Sequence, residues 1–273
     1  MTEQRDNVDD DSETELDRAW DALEAGDPEA ALQIASTIAE DEPSRWVLEA
    51  SARLELDDLR GAREALTRAS RDRPAEEDAD LCWTAAEISL REWKLEDAAR
   101  LFAITARLDP TAPALGRQAL CADALGDHAA ADAFLREAER LDPEGWKFPP
   151  RLDEDEMTEV LDEAIGMLDP DFQEALEETP ILIEPMPSVA LIDRENPAET
   201  PPDMLGLFVG VSQLDRGGES GELPASIHLF QRNLERSCAD REDLVMELRV
   251  TLYHEIGHML GFDEEGVDRM GLA

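Results

Sequence analysis

Lysine is nearly missing from this chain: Lys94 and Lys147 are the only two among 25 basic residues, against 67 Asp and Glu, and the net charge is −42. That balance argues against nucleic acid as a partner, because phosphate binding needs clustered cations. Anionic membrane surfaces are disfavoured for the same reason. Long apolar runs are missing too, since no stretch approaches the roughly 20 apolar residues of a membrane span. The opening MTEQRDNVDDDSETE has neither the basic nor the apolar region of a secretory signal. Cysteine is scarce and scattered. Cys82, Cys121 and Cys238 share no metal or redox spacing and read as buried thiols in a reducing cytoplasm. The excess of Arg over Lys in an Ala-rich, acidic chain fits a GC-rich or salt-adapted bacterial source.

Aromatic residues are few and unevenly placed. All five Trp lie before residue 147, and the single Tyr is Tyr253. Pro clusters between 180 and 202, and Gly between 205 and 221. These shifts predict two domains. The expected boundaries are an acidic disordered tail over 1–11, a helical array over 12–143, a linker over 144–151 and a second domain over 152–273. The paired prolines at the end of EGWKFPP disfavour helix in the residues before them.

The first half repeats. GDPEAALQIASTIAEDEP (26–43), DDLRGAREALTRASRDRP (57–74), WKLEDAARLFAITARLDP (93–110) and GDHAAADAFLREAERLDP (126–143) align without gaps. The closing prolines Pro43, Pro74, Pro110 and Pro143 are spaced by 31, 36 and 33 residues. Ala31, Ala62, Ala98 and Ala131 hold one position in the four units. A small residue at a fixed offset lets paired helices approach closely, and a proline stops a helix. The pattern resembles tetratricopeptide repeats, which implies a helical-hairpin array that takes a protein partner. A rigid spacer is the plainer alternative.

The second half opens with a helical pattern in Met157, Val160, Leu161, Ile165 and Leu168, broken at Asp169–Pro170. A short helix is expected over 171–177. Strands are expected at 180–187, 204–213 and 225–234, the third running into an irregular segment, with a turn-rich loop before it. From about Asp240 to Leu260 the pattern is helical again.

TLYHEIGHMLGFDEE carries the chemistry. On a helix, His254 and His258 are four apart and share a face, so both imidazoles can reach one Zn²⁺. Glu255 sits beside the open metal position, where it can take a proton from water. Gly261 can adopt a positive φ and turn the chain back. A ligand beyond that turn falls at Glu264, with Asp263 as the alternative third ligand. His228 reads as an ordinary strand histidine, His128 as structural and Tyr253 as packing.

Residues 152–273 resemble a compact zincin-like metallopeptidase family of bacteria. The resemblance rests on MTEVLDEAIGMLD, ILIEPMPS, LGLFVGV, PASIHLFQRNLE and HEIGHMLGFDE. It implies a small α+β domain with a mixed sheet of three or four strands. It also implies zinc on His254, His258 and Glu264, with Glu255 catalytic and peptide or protein as substrate. Phe208 and Phe230 stand where the family commonly has Tyr, so a hydroxyl role there is lost. The expected protein is therefore a cytoplasmic zinc metallopeptidase with an interaction array. The rival is an adaptor whose metal domain is a scaffold with little protease activity.

Overall fold

The computed structural model describes residues 14–71, 74, 77–177, 179–192, 200–210, 225–262 and 266. The expected acidic tail and the loop at 215–222 lie outside them.

The first half forms four helical hairpins. They are α1 (Glu15–Glu24) with α2 (Pro28–Ala35), α3 (Pro43–Glu55) with α4 (Leu59–Ala69), α5 (Ala79–Arg91) with α6 (Leu95–Leu108), and α7 (Ala112–Ala124) with α8 (His128–Leu141). Acidic caps start many of these helices. Asp27, Asp58, Asp78 and Asp127 each accept a backbone N–H three residues on. Such a cap contributes about 1 kcal/mol. Ala31, Ala62, Ala98 and Ala131 are all fully buried where the paired helices meet. The prolines do not all act as stops, however. Helix α2 ends at Ala35, and Pro43 is the first residue of α3, where its missing N–H leaves no bond unmade.

Each hairpin turn carries one residue with left-handed backbone: Gly26 at φ +78°, Asp57 at +55°, Trp93 at +57° and Gly126 at +83°. Glycine takes this conformation without strain. A side-chain-bearing residue pays about 1–2 kcal/mol, because its Cβ crowds the following carbonyl.

The second half contains α9 (Glu154–Gly166), α10 (Pro170–Leu176), β1 (Ile181–Glu184), β2 (Gly206–Val209), β3 (Ser226–Phe230), α11 (Gln231–Arg236) and α12 (Arg241–Leu260). The strands form one mixed sheet in the order β1-β3-β2. Strand β1 pairs parallel to β3, and β2 pairs antiparallel to it. Ile227 and Leu229 on one face of β3 pack with Met157 and Val160 of α9 and Leu252 and Ile256 of α12. The third strand is shorter than the alternation predicts. It ends at Phe230, and Gln231–Arg236 is helical. Helical spacing brings Arg232 and Arg236 to one face, where both meet the same acid of the array.

That acid is Asp123 on α7, whose side chain is 0 % exposed. It accepts from Arg232 Nε at 2.8 Å, Arg236 Nη2 at 2.7 Å and His128 Nδ1 at 2.9 Å. Asp132 on α8 accepts from Arg232 and from Arg151, and Arg151 also reaches Glu235. The expected linker is thus packed on both sides. Trp146 lies against Gly116 of α7, where a Cβ would come within 2.2 Å of the indole ring. The two halves bury their apolar residues mainly in different clusters, although Met186 packs against that of the third hairpin, and they share this ionic seam.

The three cysteines are buried thiols, none of them in a disulfide. Burial pushes the Cys121 thiol up to about 12 and the Cys238 thiol up to about 11. No helix among the described residues is long and apolar enough to cross a membrane.

Candidate metal centre

Helix α12 lies beside β2, the edge strand nearest to it in the sheet. Its start is fixed by Asp240, which accepts from the backbone N–H groups of Glu242 and Asp243. Leu244, Leu248, Leu252 and Ile256 bury one stripe against the sheet and α9. His254 and His258 lie at the border of that stripe, half-buried, with Glu255 buried between helix and strand.

The two imidazoles converge. His254 Nε2 and His258 Nε2 are 3.0 Å apart, with the rings edge to face. The end of the helix explains the orientation of His258. Gly261 takes φ +98°, as its place after the motif predicts. Its N–H donates to His258 O and the Phe262 N–H donates to Gly257 O, a Schellman ending. The Phe262 carbonyl is thereby folded back to accept from His258 Nδ1 at 3.1 Å. A carbonyl can only accept, so this contact favours the tautomer that leaves Nε2 for a metal, the arrangement of a metal-ligating histidine. Two nitrogens 3.0 Å apart can both reach one divalent ion at about 2.0–2.1 Å. The donor set therefore fits a metal. The sequence offers Glu264 and Asp263 as the third donor, and both lie outside the described residues. Among the described residues no group of three His, Cys, Asp or Glu forms.

Glu255 faces β2. Its Oε2 accepts the backbone N–H of Phe208 at 2.6 Å. Strand and helix can approach this closely because residue 206 is glycine. A Cβ there would lie 2.7 Å from Thr251 Cγ2 and 3.0 Å from Glu255 Oε1. The Phe208–Glu255 bond was not evident in the sequence, since a backbone donor leaves no residue-type signal. An adjacent cleft of about 310 Å³ is lined by Met204–Leu207 on one side and by Glu247, Val250, Thr251, His254, Glu255 and His258 on the other.

The remaining candidates lie elsewhere. His228 is on the sheet face opposite Ile227 and Leu229, bonded to Glu184 at 2.6 Å and Ser226 at 3.2 Å. His128 belongs to the ionic seam. Tyr253 packs edge-on against Phe172, and its hydroxyl accepts the Asp169 N–H.

No curated protein matches this chain in a direct sequence comparison. Its residues 176–272, which carry the sheet, the α12 histidines and the Gly261 turn, match the family model of zincin-like metallopeptidases.

Proposed function

We propose that the second half is a zinc-dependent metallopeptidase that hydrolyses peptide bonds, and that the helical array takes a protein partner. The convergence of His254 and His258 Nε2 at 3.0 Å, with Glu255 on the same helix, carries the reading. His254, His258 and Glu264 would hold the ion, with Asp263 as the alternative to Glu264. Zinc in that position lowers the pKa of water and polarises a carbonyl. Glu255 takes the proton of the attacking water and returns it to the leaving amine. The Phe208 N–H holds one carboxylate oxygen still, so the acceptor is oriented before substrate arrives. The edge of β2 can align peptide backbone alongside the cleft by strand addition.

The array supports a partner with cationic side chains. A groove of about 490 Å³ runs from α1 across α3 and α5 to the end of α6 and the start of α7. Trp20 and Trp83 line it together with Glu24, Glu55, Asp80 and Asp109. Buried thiols fit a reducing, cytoplasmic setting.

The test is metal content of the purified chain together with cleavage of a peptide library, with and without chelator. One zinc per chain and chelator-sensitive cleavage are expected. Bound zinc with no cleavage of any library member would favour the adaptor reading, and no bound metal would remove both.

A further inference from the structure

We propose that the helical array holds β2 in position against Glu255, and that Trp93 and Arg117 are the positioning residues through which it does so. Among the described residues, two sets of polar contacts from the array bear on this region. One is the ionic seam on α11. The other is to the five residues 200–204, immediately before the strand that touches Glu255.

Trp93 is the first anchor. Its position in the hairpin turn is glycine in the first and fourth hairpins, and its φ of +57° is strained for a residue with a bulky side chain. An observed strain of this kind is a pointer to function. The indole supplies one. Its Nε1–H crosses to the second half and donates to the carbonyl of Thr200 at 2.8 Å. Arg117 is the second anchor. Its Nη1 donates to Asp203 Oδ2 at 2.8 Å, while its Nε faces Glu87 of α5 at 2.8 Å. The guanidinium is therefore held by an ion pair from the array side as well. Between these anchors, Asn233 of α11 donates through Nδ2 to the carbonyls of Pro202 at 2.9 Å and Met204 at 2.8 Å. Helix α11 is itself bolted to Asp123 of the array. All four residues held in this way lie within six positions of Gly206.

Strand β2 needs such restraint. It is four residues long and is bonded to β3 along one side. A short edge strand is a weak element by itself. Yet Gly206 and Phe208 must stay in register with Thr251 and Glu255 for the 2.6 Å bond to persist. The array thus supplies part of the scaffold of the candidate site. The catalytic consequence rests on the peptidase reading of Glu255, but the positioning of β2 does not.

Hydrogen exchange on the full chain tests the idea. Trp93→Gly relieves the backbone strain and removes the indole donor. Arg117→Met keeps the bulk and removes the charge. In each variant the amides of Gly206–Val209 should exchange about three- to tenfold faster, the effect of losing one hydrogen bond. The amides of Ile227 and Leu229, which face β1 rather than β2, should be unchanged. Where the parent cleaves a peptide, kcat should fall with KM little altered, and Arg117→Lys should restore part of the loss. If the parent cleaves nothing, the peptidase reading fails while the exchange result still decides this one. Unchanged exchange at 206–209 in both variants overturns the proposal, and so does a uniform rise across the whole second half. Should Trp93→Gly not fold, Trp93→Phe keeps the packing without the N–H, and unchanged exchange there overturns it equally.

Discussion

The backbone N–H of Phe208 and the carboxylate of Glu255, 47 residues apart, meet at 2.6 Å and join the edge of the sheet to helix α12. The bond ties the proposed proton acceptor to the wall of the cleft rather than to a mobile loop. Most of what can be tested about the site follows from it.

Glu255→Gln should keep both fold and zinc. The amide oxygen can still accept from Phe208, but glutamine cannot take a proton at neutral pH. Peptide cleavage should fall by about 10²–10⁴-fold, the usual contribution of a positioned general base. Steady-state kinetics on a substrate of the parent checks this, and a parent-like rate in the variant rules out the role.

His254→Ala and His258→Ala should each abolish stoichiometric zinc, because each removes one of the two converging nitrogens. Glu264→Ala should weaken the affinity, and excess zinc should partly restore its activity, which it should never do for Glu255→Gln. Metal analysis after dialysis against a weak chelator separates these outcomes.

Gly206→Ala probes the approach of strand and helix. The new Cβ meets Thr251 Cγ2 at 2.7 Å, so the Thr251 side chain, the helix or the strand must shift. Overpacking of this kind costs about 1–3 kcal/mol. The denaturant midpoint should drop accordingly, and hydrolysis should fall further than stability alone explains.

The ionic seam should be sensitive to acid. Burial pushes the Asp132 carboxyl upward, but Arg232 and Arg151 outweigh it and hold it below its ordinary 3.8. A depressed folded-state value means stability that is fully present above 3.8 and lost as pH falls through the lower folded value. Urea midpoints measured across that window should decline, and Asp132→Asn should flatten the decline. A parent curve as flat as that of the variant would exclude Asp132 as a contributor.

The convergence of His254 and His258 was readable because its geometry is local. The i,i+4 histidines need only a helix, and the stripe from Leu244 to Ile256 announces one. Gly261 needs only a turn, and its positive φ is what a glycine after a helix suggests. The central alanines of the array were equally legible, since a fully buried Ala31 or Ala98 follows from small size at a fixed offset. The rest depends on distance in the chain. The third expected strand runs into an irregular segment by residue 234, and nothing local makes Gln231–Arg236 a helix until Asp123, more than 100 residues earlier, is known to face Arg232 and Arg236. Trp93 opens a repeat unit in the sequence, and nothing there links it to Thr200, 107 residues on. The break at EGWKFPP marks a real change in composition, but the charges that bind the two halves across it are spread over α7, α8 and α11 and form no sequence motif.

The buried cysteines turn this architecture into its own reporter. Cys82 and Cys121 lie within the core of the third and fourth hairpins, and Cys238 lies in the core beneath the sheet. With the Cys121 and Cys238 thiols held at about 12 and about 11, neither is ionised at neutral pH while its surroundings stay closed. An alkylating reagent therefore labels each site only at the rate at which its half opens. Mass spectrometry of the labelled peptides would read the opening of the two halves as separate clocks in a single tube, with no engineered probe.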